Sequence, residues 1–233
     1  RAAPRTELVN RHVRRLTRRA AIVAAAGEHR QRAIRPDDSF GNDFSSGERH
    51  QTITATATSI KASDIPDELR RPDIALICPL VREVEIDSLT WFPDSITGTI
   101  LQGFLRSRDQ DGNVSTAAIE PPALENKIEI AVVSARELNV AQAEAWSRAA
   151  RVVAQTRGKD GVSIYVYGAW TDIPSTQVEE VDPTGAGDIW AAFYLIRFRE
   201  SGDAIESARF ATRAAAYSVT AVGLAGIEQI PVE

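Results

Sequence analysis

The 233 residues are 43% hydrophobic and 25% charged, with a net charge of −5, which is enough apolar material for one sizeable core and excludes a disordered chain. No run approaches the roughly 18 uninterrupted apolar residues of a membrane span, and no signal peptide opens the sequence, so the expectation is a soluble, cytoplasmic protein without a membrane partner. A lone cysteine, Cys78, rules out an intrachain disulfide, and the three histidines, His12, His29 and His50, fit no zinc spacing.

The charge is unevenly spread. Residues 1–36 carry ten arginines against Glu7 and Glu28, a surplus of +8 that leaves −13 for the rest. There is no methionine, which implies a processed or trimmed start. In this basic segment Val9, Val13, Leu16, Ala20 and Val23 recur at spacings of four and three, which predicts an amphipathic helix with Arg11, Arg14, Arg15, Arg18 and Arg19 mostly on its other faces. Such a helix suits a nucleic-acid or acidic-membrane contact, or simply a solvated face whose apolar stripe packs on the domain. The acidity of the whole chain favours the second and makes nucleic acid an unlikely partner. Residues 1–38 are therefore set apart as an atypical basic helical segment, and 39–233 as the main domain.

From Ser39 the pattern turns to strands. Residues 42–47 are turn-rich and 52–58 alternate apolar with hydroxyl side chains, the period of a half-buried strand, which suggests a hairpin or lid over about 39–60. Residues 63–69 read as a short capped helix. Ile74–Cys78 reads as a buried strand ended by Pro79, with Cys78 a small hydrophobe rather than a nucleophile. A strand at 96–101 is followed by Gln102-Gly103-Phe104-Leu105-Arg106 and a polar loop over 108–115. Next come a strand at 128–133, a helix at 137–148, a strand at 152–155, a strand pair around 162–167, and helices at 189–199 and 204–219. Gly202 stops the first of those two helices and Asp203 caps the second. Alternating strand and helix predict an α/β fold with a mainly parallel sheet, whose ligand sites lie beyond the carboxyl ends of the strands.

The densest chemistry is Val181-Asp182-Pro183-Thr184-Gly185-Ala186-Gly187-Asp188 before a helix. Gly185, Ala186 and Gly187 allow a tight turn whose amides converge on one point at the positive helix end, which suits anionic oxygen. Asp188 in the first turn is placed to take a proton from an attacking hydroxyl. A loop with a capping aspartate is the plainer alternative for the same string. After the strand at 152–155, Thr156, Gly158 and Gly161 either make a turn or cradle a phosphate. Glu137, three residues after Ser134, reads as a capping-box glutamate or an organiser of ligands.

Taken in chain order, the three segments resemble the signatures of the PfkB, or ribokinase, family of carbohydrate kinases. The resemblance covers roughly 128–226 and implies a ribokinase-like fold with a small β lid, ATP and Mg2+ as cofactors, and a sugar, nucleoside or related small molecule as acceptor of the γ-phosphate. It implies Asp188 as base and acceptor contact, and Gly185 to Gly187 as anion hole. Thr156, Gly158, Gly161 and Thr184 would be nucleotide contacts, and Thr212 would stand where the family often has an asparagine at the adenine pocket. It further implies Glu137 at the metal, although serine stands at 134 in place of asparagine, and a loop at 223–226 near a monovalent-cation or nucleotide site. Asn42 and Asp43 would touch the acceptor from the lid, through which a homodimer could form. The family's opening strand and Gly-Gly segment do not appear. An alternative start, a truncation or an out-of-frame reading of a GC-rich gene would each give such a beginning. A catalytically silent nucleotide binder lacking the acceptor half, and a protein acting through its Arg-rich helix, are the competing expectations.

Overall fold

The computed structural model describes residues 20–24, 39–43, 50–55, 58–223 and 225–230. Its strands are β1 (Ala20–Ala24), β2 (Ser39–Asp43), β3 (His50–Ala55), β4 (Ile74–Cys78), β5 (Ile96–Ile100), β6 (Arg106–Arg108), β7 (Val114–Thr116), β8 (Ile128–Ser134), β9 (Ala150–Thr156), β10 (Val162–Val166) and β11 (Ala169–Ile173). Seven of them form one sheet in the order β1-β4-β5-β8-β9-β10-β11. The first five run parallel, and β10 and β11 are added antiparallel at one side.

A parallel sheet is covered on both faces, so its strands must be apolar almost throughout. β4 and β8 meet that demand, with every residue but the last buried. Alternate side chains feed two cores. Ala75, Ile77, Ala131, Val133 and Val153 pack with Leu101, Phe104, Leu105 and Trp146 on one face. Ile74, Leu76, Ile130, Val132 and Val152 pack with Trp190, Tyr194 and Leu195 on the other. The helices are α1 (Gln102–Leu105), α2 (Val140–Glu144), α3 (Ala186–Ser201) and α4 (Ala204–Ser218). α1 and α2 lie on the first face and α3 and α4 on the second. At Gly98 in β5 an added Cβ would stand 2.8 Å from Leu195 Cδ1, so the glycine lets α3 seat closely on the sheet. As expected, Gly202 ends α3 in the left-handed region and Asp203 caps α4 through Glu206 N–H.

Four expectations are corrected. Residues 20–24 are not helical: β1 pairs with β4, Ala20 opposite Ile74 and Ala24 opposite Cys78. A short apolar run fits strand or helix equally by pattern, and the open ladder edge of β4 decides for strand. β1 thus belongs to the main sheet rather than to a separate segment, while the remainder of the expected helix, 9–19, lies outside the described residues. Residues 108–115 are not a plain loop but join β6 to β7 in an antiparallel hairpin. Asp109 Oδ1 accepts from the N–H groups of Asp111 and Asn113, and Gly112 supplies the positive φ. The helix expected at 137–148 begins later, at an Asn139 cap that accepts from Gln142 N–H at 2.9 Å, and passes into a 3-10 turn at Ala145–Arg148. Residues 63–69 form two 3-10 turns, Ala62–Asp64 and Asp67–Leu69, separated by Pro66.

A hairpin does form within the expected span of about 39–60. β2 and β3 pair antiparallel apart from the main sheet. Ile53 N–H donates to Gly112 O at 2.8 Å, and Thr52 bridges to Asn113, so the β6–β7 hairpin adjoins this small sheet.

Candidate functional site

Parallel strands place their carboxyl ends on one edge, and there β4 ends at Cys78, β5 at Ile100, β8 at Ser134 and β9 at Thr156. Neighbouring strands are about 4.8 Å apart, so this edge spans roughly 14 Å from β4 to β9. Three of the sequence-derived segments arrive on it.

Near β4 stands the start of α3. Gly185 caps the helix at φ 79°, a left-handed conformation that disfavours other residues. A Cβ on Gly185 would lie 3.9 Å from Asp188 Oδ2, so the carboxylate folds back over the turn. Asp188 keeps an exposed face, yet protein crowded on its other sides disfavours the charged form and raises its pKa. Cys78 feels that charge. Burial first, and then the Asp188 carboxylate, push the thiol pKa far up, so Cys78 stands at this edge as a neutral thiol. The sequence reading treated Cys78 only as core, although its place at a strand's carboxyl end was the available signal.

Of the expected anion hole, part is committed elsewhere. Ala186 N–H donates to Pro183 O at 3.2 Å, whereas among the described residues no acceptor is found for the N–H of Gly185 or Gly187. Around Gly187 a Cβ would meet nothing within 4 Å, so the turn is open on that side. The loop itself is pinned by Asp182, which sequence reasoning did not single out. Its Oδ1 accepts from Thr184 N–H at 3.0 Å and its Oδ2 from Gly223 N–H at 3.1 Å, contacts that lower its pKa. Those two amides are thereby used inside the fold. Thr184 itself is exposed on the loop.

β8 and β9 bring the second and third segments side by side, Ser134 opposite Thr156, with Ala135 N–H donating to Thr156 O at 2.9 Å. Glu137 turns its carboxylate back on this turn. Oε2 accepts from Ser134 N–H at 3.0 Å and Oε1 from the Gln102 side chain at 2.6 Å. Beyond β9, Gly158 has φ 59° and open space where a Cβ would be, while Gly161 has φ 92° and its Cβ would collide with Ile173 O. Gly158 can therefore face a ligand. Gly161 is required by packing, whatever binds.

Thr212 does not present its side chain to this edge as expected. It is buried between α3 and α4, where its hydroxyl accepts from Trp190 Nε1–H at 3.0 Å and donates to Ala208 O at 2.7 Å. Thr212→Val should therefore leave nucleotide affinity unchanged and lower unfolding free energy by about 1–3 kcal/mol, the cost of orphaning the indole N–H. Paired nucleotide titrations and denaturant melts check both halves of that statement. Asn42 and Asp43 end β2, opposite Gln51 and His50 of β3. Of the two glycines of the expected loop at 223–226, Gly223 serves Asp182, and Gly226 lies in a 3-10 turn, Ala225–Gln229, where a Cβ would collide with Ser218 O, so both have structural work.

Residues 123–230 match the model of the pfkB family carbohydrate kinases. Over this stretch the chain resembles that family. Within the curated proteins, 71 residues are 42% identical to the ribokinase of Bacillus subtilis (strain 168), over 30% of this chain and 24% of that protein. The matched stretch thus spans about a quarter of that relative's length. Among solved structures, a pyrophosphate-dependent kinase in the ribokinase family, in complex with sulfate, superposes with a TM-score of 0.68 at 17% identity, covering 83% of this chain and 73% of that one. Fructokinase from Xylella fastidiosa with bound ATP superposes with a TM-score of 0.62 at 18% identity, covering 82% and 70%. These likenesses establish the ribokinase-like α/β fold. Among the described residues no helix is long and apolar enough to cross a membrane.

Proposed function

We propose that this chain is a PfkB-family kinase that transfers the γ-phosphate of ATP to a hydroxyl of a sugar, nucleoside or related small molecule. The observation that carries this reading is the start of α3, where a carboxylate of raised pKa stands beside two uncommitted amides at a positive helix end. Asp188 accepts the proton of the acceptor hydroxyl as it attacks. The N–H groups of Gly185 and Gly187 receive the charge that develops on the transferred phosphoryl oxygens, and hold their positions before the reaction because Asp182 fixes the loop. Thr156 and Gly158, on the turn after β9, hold the donor's phosphates. Asn42 and Asp43 bring the lid against the acceptor and help exclude water.

Glu137 fits magnesium. Each carboxylate oxygen already accepts one hydrogen bond, which fixes its orientation and leaves lone pairs for a water-bound ion. Among the described residues no three His, Cys, Asp or Glu gather into a cage, and Mg2+ is usually held by one or two carboxylates together with phosphates. Bound there, the ion would neutralise charge on the donor phosphates.

The test is ADP release from Mg-ATP against pooled sugars, sugar acids and nucleosides, with phosphate release from pyrophosphate run in parallel. A pool-dependent ADP signal is expected. A signal only with pyrophosphate would replace the donor. ATP binding without turnover on any pool would make the chain a silent nucleotide binder.

A further inference from the structure

The carboxamide of Gln102 is outside the machinery just described, yet it makes a 2.6 Å hydrogen bond to Glu137 from a different strand end. Sequence separation between the two is 35 residues, so the contact exists only because β5 and β8 are neighbours in the sheet. Several features fix Gln102 in place. Leu101 N–H donates to Val132 O at 2.8 Å, continuing the β5–β8 pairing past the end of β5. Gly103 lies so close to the chain leaving β4 that a Cβ would collide with Pro79 O, and its own carbonyl accepts from Arg82 N–H at 3.0 Å. Phe104 and Leu105 are buried in the first core. The single turn of α1 is therefore wedged between two strand ends, and Gln102 is its first residue.

A carboxylate held by one hydrogen bond can rotate; one held at both oxygens cannot without breaking a contact. Ser134 N–H secures Oε2, but it belongs to the same four-residue turn as Glu137 and moves with it. Gln102 supplies the hold from outside that turn. We propose that Gln102 is a positioning residue for Glu137, fixing the carboxylate in the orientation from which it serves the magnesium ion of the donor. This rests on the metal reading of Glu137 above. Outer partners that orient metal-binding groups typically contribute 10–100-fold in metal affinity or activity.

The experiment compares the chain with Gln102→Ala, Glu137→Ala and the double variant. Mg2+ is titrated in two ways: by ADP formation, and by the rise in Tm that ADP produces, which requires no turnover. Gln102→Ala is expected to weaken apparent Mg2+ affinity about tenfold or more in both readouts, with kcat largely restored at saturating Mg2+, and to add nothing further in the Glu137→Ala background. If Glu137→Ala weakens Mg2+ binding and Gln102→Ala does not, or if the two effects simply add, the positioning role is overturned and the reading of Glu137 stands. An unchanged Mg2+ dependence in Glu137→Ala overturns both. A lower Tm of the metal-free Gln102→Ala protein with an unaltered Mg2+ titration is the result of a purely structural contact, and also overturns the proposal. Should Gln102→Ala fail to fold, Gln102→Met keeps the length and apolar contacts of the side chain, lacks the N–H, and is expected to give the same weakened titration.

Discussion

Asp188→Asn is expected to lower kcat by about 10²–10⁴, the usual worth of a general base, while leaving nucleotide binding and the fold nearly intact. Asparagine has almost the same shape, so the turn over Gly185 and the open amides of Gly185 and Gly187 remain, and only the proton acceptor is lost. The pH dependence gives a second, independent reading. As the proposed base, Asp188 must be ionised to act, and burial raises its pKa. Turnover of the parent chain should therefore rise with pH through a limb lying above the pKa of about 3.9 of an ordinary aspartate. Cys78 does not complicate that limb, because its own thiol is held neutral. The variant's residual rate should have lost the limb. Steady-state kinetics at saturating Mg-ATP, from pH 4 to 8 on both proteins, would show it. Near-normal turnover of Asp188→Asn would falsify the assignment, and a retained acid limb would move the base elsewhere.

Much of this site is readable without coordinates because its parts are local. Gly185, Gly187 and Asp188 lie within four residues, and the φ of 79° at Gly185 is the conformation that glycine there was expected to supply. β8, β9, α3 and α4 are legible for a similar reason: their apolar patterns are long, and Gly202 and Asp203 punctuate them. What the sequence hides is pairing across distance. Nothing near Gln102 announces Glu137, and nothing near Asp182 announces Gly223, since both contacts are created by which strand and loop ends the topology puts together. Thr212 is hidden in the opposite sense. Its position on α4 suggests a pocket, but the indole N–H of Trp190, brought against it by the packing of α3 on α4, needs an acceptor, and the hydroxyl is spent there. β1 shows the limit of periodicity itself, for Ala20-Ala21-Ile22-Val23-Ala24 is apolar in either conformation and only the free edge of β4 distinguishes them.

The second large effect is at the other end of the sheet. Glu129, one residue into β8 and 7% exposed, accepts a hydrogen bond at 3.2 Å from the hydroxyl of Tyr194 on α3 and faces Arg151 of β9 at 3.6 Å. Arg151 is mostly in solvent and compensates little. Desolvation outweighs the guanidinium and the Tyr194 hydrogen bond, and pushes the Glu129 pKa up from 4.5 to about 7. Tyr194 moves in the same direction, held neutral by burial, by Glu129 and by Tyr167 at the β10–β11 turn. A carboxyl whose pKa is higher in the fold than in the unfolded chain binds more protons when folded. Its contribution is then complete below the unfolded value, and is lost as pH rises through about 7. At 1.36 kcal/mol per unit, the loss is on the order of 3 kcal/mol. Glu129→Gln keeps an acceptor for Tyr194 but carries no proton to lose. Denaturant unfolding should show the parent chain losing stability between pH 5 and 8.5 and the variant losing much less, so that the variant is the more stable protein at pH 8.5. Arg151→Ala should act in reverse, raising the Glu129 pKa further and deepening the loss at alkaline pH. Parallel pH–stability curves for all three proteins would mean that Glu129 stays ionised across the range, its charge compensated in the fold.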